Sequence, residues 1–531
     1  MALKIIKKIK RPNFVAQLIL SLLFGSLTVL SMQPWGIFPI IWLTIPSFLI
    51  LLDCSKNYKN SFLTAWFFGL GYFGLSFFWI TNAFYVDEKM YGIIAIPAVL
   101  ILSAGFAIYI GIIGLLLHSY QTEISKKTNT KSNPENKLIA LWYKLILFAS
   151  LWAIIEWFRG WLFTGFPWNP IGNIWANISY PSQSVSIFGI YGLSLVTVLS
   201  ASSPSFFING DKAKSRYKFI FIIICNLPLI LLSSWGIFRV HNADLTYVDN
   251  INLRLVQPNI TQKEKWVPKL RRKHIEKLVM MSNHEADGIT HVIWPEAAVT
   301  YALNRNKPLL EYILLSFPND TKLITGSPRT EINRNLNTSY NSLYVISNFG
   351  VEAVYDKVHL VPFGEYTPSF VNFFGFNKLI YTAGQGFKHG KDRLPISLGN
   401  LPSFMPIICY EIIFSGNLYE TKHNPEWLLN ITNDAWFGKS SGPYQHFANV
   451  RMRSIEHGLP AIRVANSGIT AVIDGYGRVI NKIDINKTGT IDTGLPQKLA
   501  PTLFNYFRHS LFFALSIILI LATLRFVKYK N

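Results

Sequence analysis

The chain has 531 residues, of which 50% are hydrophobic, 15% aromatic and only 15% charged, with a net charge of +21. A soluble domain carries nearer a quarter charged residues, and the mean hydropathy is +0.27, so the composition excludes an ordinary water-soluble protein and points to a lipid host. The three cysteines, Cys54, Cys225 and Cys409, form no CxxC pair and no metal-ligand spacing, which argues against a zinc site or a disulfide framework.

The first half is dominated by long apolar runs. Phe14–Met32, Gly36–Leu52, Ser61–Ile80, Tyr91–Leu117, Leu138–Phe158, Val185–Phe207 and Phe219–Phe238 read as membrane spans, and Leu511–Val527 adds one near the C-terminus. Each is near the roughly 20 residues needed to cross a bilayer, giving about eight spans. Lys4, Lys7, Lys8, Lys10 and Arg11 precede the first run. No small-residue cleavage site follows, so the segment reads as a retained anchor and not as a cleaved signal.

Basic residues mark the cytoplasmic loops of membrane proteins. Here they cluster in alternate loops: Lys56 and Lys59; Lys126, Lys127, Lys131 and Lys137; Lys212, Lys214, Arg216 and Lys218; and the tail residues Lys528 and Lys530. Both termini are therefore expected in the cytoplasm. The segment 239–507 is expected outside, in the periplasm of a Gram-negative cell, between a helical region 1–238 and a final span with its tail, 508–531. Much of the positive charge is then topology, and nucleic acid is not expected as a partner.

The outer segment has another texture. Leu253–Val256, His291–Trp294, Lys322–Gly326, Ser342–Ser347, Val351–Tyr355, Met405–Cys409, Trp427–Asn430, Ala461–Ala465 and Thr470–Ile473 read as strands. His274–Ser282 and Phe447–His457 read as helices. The alternation predicts a layered α/β domain of about 250 residues.

Three reactive residues close β-rich runs in this segment. His291–Trp294 runs into Pro295 and presents Glu296, which is either a general base, if buried, or a surface carboxylate in a turn. Tyr355–Asp356–Lys357 offers Lys357 as a fixed charge for an oxyanion, or as a solvated lysine after a strand. His359 is a rival base, and Glu365 a second carboxylate for the site. Met405–Ile408 delivers Cys409 and then Glu411. A free cysteine in an oxidising compartment is either used or buried as a small hydrophobe, and a neighbouring lysine favours its thiolate.

Glu296, Lys357 and Cys409, in this order with long segments between them, resemble the Glu–Lys–Cys triad of the carbon–nitrogen hydrolase (nitrilase) superfamily. That resemblance implies an αββα sandwich with Glu296 as base, Lys357 as oxyanion stabiliser and Cys409 as nucleophile. The preceding spans, the segment Trp157–Trp168, His359–Tyr366 and Thr432–Gly438 resemble the apolipoprotein N-acyltransferase family more narrowly. The chain departs from the pattern at Pro258, where the family has a glycine, and at Ala297, where a hydroxyl residue is common. By similarity Trp266, Asn341, Glu365, Tyr410 and Glu411 line or brace the site, and Asn433 and Trp436 lie in a loop over the pocket.

The resemblance implies a polytopic enzyme of a bacterial inner membrane, working as a monomer without metal or organic cofactor. It would move an acyl chain from the sn-1 position of a phospholipid, phosphatidylethanolamine being the expected donor, through a thioester on Cys409. The acceptor would be the N-terminal cysteine α-amine of a diacylated apolipoprotein. Trp157–Trp168 suits an interfacial belt, Glu156 and Arg159 either pair or meet lipid headgroups, and Phe363–Tyr381 or Ala435–Tyr444 is expected to cover the pocket. The alternatives are a membrane-anchored amidase acting on small amides, and a transporter with an inactive hydrolase domain.

Overall fold

The computed structural model describes residues 12–127, 134–209, 213–241, 243–318, 320–333, 336–368, 386–420 and 422–529. The chain divides into two compact units, Met1–Asn242 with Phe507–Asn531, and Ala243–Tyr506.

Helices occupy all eight places where spans are expected: α1 (Phe14–Thr28), α2 (Ile41–Asp53), α3 (Tyr58–Ser76), α4 (Ala95–Lys127), α5 (Pro134–Arg159), α6 (Val185–Ser202), α7 (Ser215–His241) and, after the second unit, α11 (Ser510–Tyr529). Among the described residues six helical stretches are long and apolar enough to cross a membrane: Phe14–Ser31, Phe78–Lys126, Pro134–Arg159, Val185–Ile208, Ser215–His241 and Ser510–Lys528. Two of the expected spans fall short of that measure. The apolar stretch Phe38–Asp53 is short, and α3 carries Lys59, Asn60 and three glycines that dilute its hydropathy. Two of those glycines, Gly69 and Gly71, have a packing use. A Cβ on Gly71 would lie 2.1 Å from Leu22 O, and one on Gly25 of α1 only 2.0 Å from Phe68 O, so α1 and α3 meet backbone to backbone. Gln17 closes the same contact from inside, donating to Leu51 O, Ser55 Oγ and Thr64 Oγ1. Helix α6 is mostly buried, whereas α7 and α11 turn most of their surface outward, as lipid-facing helices do.

Glu156 and Arg159 do not reach outward from α5: both are buried. Glu156 Oε1 accepts from Trp152 Nε1 at 2.9 Å and from the Ile171 N–H at 2.7 Å, and Arg159 donates to Trp168 O at 2.5 Å. The pair thus anchors both ends of the chain segment between 159 and 171. Within that segment Trp161, Leu162 and Phe163 are exposed and Trp168 is buried, a division that fits an apolar surface at the membrane interface.

The second unit holds two six-stranded sheets. One has the order β12–β1–β2–β3–β4–β5 and the other β11–β10–β9–β8–β7–β6. In chain order the strands are β1 (Tyr247–Gln257), β2 (His291–Ile293), β3 (Lys322–Asn333), β4 (Leu336–Ser347), β5 (Gly350–Asp356), β6 (Ile396–Leu398), β7 (Leu401–Ile408), β8 (Trp427–Asn433), β9 (Ala461–Asn466), β10 (Thr470–Ile473), β11 (Val479–Ile483) and β12 (Gly489–Pro496). Among the described residues three longer helices accompany them: α8 (Pro268–Asn283), α9 (Lys307–Leu315) and α10 (Gly442–His457).

All nine expected strands are present, and both expected helices lie inside α8 and α10. Each of α8, α9 and α10 carries a proline in its first turn, where the missing N–H costs nothing. Ile275 and Leu278 of α8 and Ile313 of α9 form one core with Val256, Val292, Trp294, Leu323, Tyr344 and Ile346 of the first sheet. β8 is buried at every residue, as a central strand covered on both faces must be.

The central strands of each sheet are parallel: β1–β2–β3 in register Leu253 to His291 to Lys322, and β7–β8–β9 in register Met405 to Leu428 to Ala461. Parallel strands gather their carboxyl ends on one edge, which is where open α/β sheets bind ligands. Glu296 follows β2, Cys409 follows β7, and Asn433 ends β8.

Candidate active site

Glu296 sits where the chain leaves β2, beside Gly326 of β3. A Cβ at 326 would lie 2.5 Å from Ala297 N and 2.7 Å from Glu296 Cα, so only glycine lets the two strand ends approach this closely. The carboxylate is buried and held on every side. Its Oε1 accepts from Asn341 Nδ2 at 2.7 Å and lies 3.6 Å from Lys357 Nζ; its Oε2 accepts from the Asn433 N–H at 2.8 Å. The surface-turn reading of Glu296 is therefore excluded.

Lys357 is also buried, with 1% of its surface exposed. It leaves β5 just after Asp356, which Arg329 and Ser342 grip. Its main-chain N–H donates to Asn341 O at 2.8 Å, and its carbonyl accepts from the Gly390 N–H at 2.7 Å. The ammonium donates to Glu365 at 2.9–3.0 Å. Burial opposes its charge, but Glu365 and then Glu296 outweigh burial and hold its pKa above the ordinary lysine range. Asn341 ties the two carboxylates together, donating to Glu365 Oε1 at 2.9 Å as well as to Glu296.

Cys409 begins a tight turn, Cys409–Ile413, directly after β7. Its φ of +53° is a left-handed conformation that a non-glycine residue adopts at some cost, and such strain concentrates at functional sites. The sequence leads one to expect a neighbouring lysine to favour the thiolate. The site as a whole does the reverse. Burial and the Glu296 carboxylate raise the thiol pKa, Lys357 lowers it, and Asp434 raises it further. The resting sulfur is a neutral thiol that needs a base at the moment of attack.

Glu411, expected to line or brace the site, is buried two residues after Cys409. Oε1 accepts from the Val358 and His359 N–H groups at 2.9 and 3.0 Å, Oε2 accepts from the Ile408 N–H at 2.8 Å, and Tyr355 OH donates to both oxygens. One carboxylate thereby ties the turn after Lys357 to the turn that bears Cys409. We expect Glu411→Gln to lower stability by about 2–3 kcal/mol, because an amide NH2 would face donors that need an acceptor. Thermal melting checks this, and an unchanged Tm would show that the tie is dispensable.

The other expected residues divide. Asn433 belongs to the cluster: beyond its contact with Glu296 it donates to Gln262 Oε1 at 2.9 Å and accepts from Asn466 Nδ2 at 2.8 Å. Tyr410 is buried and packs edge-on against Phe414. Trp266 and Trp436 are partly exposed and flank the site in sequence. His359 has its ring against Phe414 and Tyr410, a packed place rather than that of a base. Phe363–Tyr381 lies largely outside the described residues. Among the described residues no cluster of three or more His, Cys, Asp or Glu side chains is arranged to hold a metal ion.

Two groups escape a reading of the sequence. Lys265 is buried, and its Nζ donates to Glu296 O at 2.9 Å. Behind Cys409, His446 Nε2 donates to the Cys409 carbonyl at 3.1 Å and its Nδ1 lies 3.0 Å from Asp434 Oδ1, while Arg463 Nη2 lies 2.6 Å from Asp434 Oδ2. Burial works against the Asp434 charge, but Arg463 and then His446 bring its pKa down to about 2. A lone histidine or a strand arginine gives no sign of this in sequence.

A buried Cys–Glu–Lys cluster at the carboxyl ends of two facing sheets defines the class, and residues 252–502 match the carbon–nitrogen hydrolase family model. Residues 24–203 match the apolipoprotein N-acyltransferase N-terminal domain. The chain is 35% identical over 504 residues to the apolipoprotein N-acyltransferase of Rhodopseudomonas palustris, covering 92% of this chain and 90% of that one. It is 35% identical over 498 residues to that of Bradyrhizobium diazoefficiens (90% and 89% covered), and 33% identical over 507 residues to that of Rickettsia bellii (92% and 93%). The chain belongs to the apolipoprotein N-acyltransferase family.

Proposed function

We propose that the chain is a membrane-embedded acyltransferase that carries a fatty acyl group on Cys409 between a phospholipid and an apolipoprotein. The observation that carries this reading is the buried arrangement of a neutral thiol with Glu296 and Lys357, in a chain related over nine-tenths of its length to apolipoprotein N-acyltransferases.

In the first half-reaction Glu296 takes the Sγ proton as sulfur bonds to the sn-1 ester carbonyl of the phospholipid, with phosphatidylethanolamine as the expected donor. Lys357 faces the oxyanion. The C–O bond breaks, the lysophospholipid oxygen receives the proton from Glu296, and a thioester remains. In the second, the α-amine of the lipid-modified N-terminal cysteine attacks the thioester. An amide forms as the C–S bond breaks, and the surplus amine proton passes by way of Glu296 to the Cys409 sulfur, regenerating the thiol. Splitting one acyl transfer into two predicts ping-pong kinetics.

Membrane residence has a physical reason. Each buried methylene is worth about 0.8 kcal/mol, so an enzyme that meets both acylated substrates in the bilayer avoids extracting them. The alternating basic loops favour cytoplasmic termini and a catalytic domain on the periplasmic side of the inner membrane. Ala435–Tyr444, which includes the exposed Trp436, would cover the thioester against water.

Intact-mass measurement after incubation with phospholipid alone tests the reading. The expected result is an acyl-sized adduct that hydroxylamine removes and a diacylated lipopeptide discharges. Release of ammonia from small amides with no adduct from phospholipid would instead make the chain a membrane-anchored amidase.

A further inference from the structure

Lys265 has no part in the chemistry so far described. It ends a short helical turn, Gln262–Lys265, between β1 and α8, and only 2% of its surface is exposed. The hydrogen bond that the structure gives its ammonium runs to the Glu296 carbonyl. A tie to one carbonyl needs one neutral donor. Burying an ammonium there adds the cost of stripping water from a charge, with no packing purpose. What distinguishes the position is its company: the charged or titratable groups facing Lys265 are Glu296 at the end of β2 and Cys409 at the end of β7, with His274 of α8 also in range.

We propose that Lys265 is a positioning residue of the acyl-transfer centre, gripping the main chain of Glu296 and setting a second positive charge beside the Glu296–Cys409 pair. The inference rests on the reading of Glu296 as the base for Cys409. Asn341, Lys357 and the Asn433 N–H fix the carboxylate end of Glu296; Lys265 fixes the other end. Two ammonium groups then stand beside the two carboxylates of the cluster, Glu296 and Glu365. Burial lowers the Lys265 pKa to about 8, against the pull of Glu296 and Cys409. Its charge is therefore present at neutral pH and lost as pH rises through that value.

The test compares wild type with Lys265→Met, which removes donor and charge, and Lys265→Gln, which retains a donor. The rate of Cys409 acylation by phospholipid vesicles is followed by intact mass across pH, alongside a thermal melt. Both variants are expected to acylate about 10- to 100-fold more slowly near neutral pH, as misplacement of a reacting group predicts. The wild-type decline above about pH 8 should be absent from both. Wild-type rates and pH profile in either variant, or a loss that merely tracks Tm, would overturn the inference while leaving the acyl-enzyme intact. Absence of an adduct in the wild type would instead remove the underlying reading.

Discussion

Replacing Cys409 by serine is expected to abolish the acyl adduct and to lower lipoprotein acylation by at least about 10³-fold, within the range seen when a covalent nucleophile is removed. The substitution changes one atom, so the left-handed turn and the His446 contact to the main-chain carbonyl survive, and the melting curve should barely move. The chemistry does not survive. A thiol ordinarily ionises at about 8.5, and in this site burial and Glu296 already hold Cys409 above the ordinary range. An alcohol is a much weaker acid, and the same carboxylate cannot draw its proton at a useful rate. Mass spectrometry and transfer to a diacylated lipopeptide give the answer. A serine variant that still accumulates adduct at the wild-type rate would place the nucleophile elsewhere.

How much of this was legible in the sequence follows from what each residue does to its neighbours. Glu296, Lys357 and Cys409 each close a β-rich run, and for Glu296 and Cys409 that run is apolar and buried, which leaves the terminal residue at the edge of the sheet. Nine strands were visible for the same reason. β6, β11 and β12 were not, because they are exposed or partly exposed edges carrying Ser, Asn, Lys, Asp and Gly. Lys265 stands in Gln262–Lys263–Glu264–Lys265, which reads as solvated charge; only tertiary packing shows that Lys265 is buried. The sign of the thiol shift was also out of reach. It depends on how completely Cys409 is enclosed and on Asp434 as well as Lys357, and spacing along a chain carries no information on either.

The cluster around Lys357 should fail as a unit when its cation is removed. Lys357 lies 2.9 Å from Glu365 and 3.6 Å from Glu296, all three buried or nearly so. Lys357→Met leaves two carboxylates facing Asn341 with no cation at their oxygens, since Lys265 reaches only the Glu296 main chain. Breaking a buried pair in this way costs about 3–5 kcal/mol, and acylation of Cys409 should fall below detection because the oxyanion loses its ammonium. The pH dependence separates this from a loss of packing. In wild type the raised lysine pKa keeps the ion pair intact below the unfolded lysine value and loses it only as pH rises through the folded one, so stability from this group is level across neutral pH. In the variant the two carboxylates share Asn341 with that cation gone. Protonating either one relieves their repulsion, so the deficit against wild type is expected to shrink on moving from neutral towards acidic buffer. Adding Glu365→Gln to Lys357→Met should recover part of the melting temperature, because one of the stranded charges is gone, yet recover none of the acylation. Recovery of both would mean that Lys357 serves only to neutralise Glu365; recovery of neither would mean that the three groups are not electrostatically coupled as their distances require.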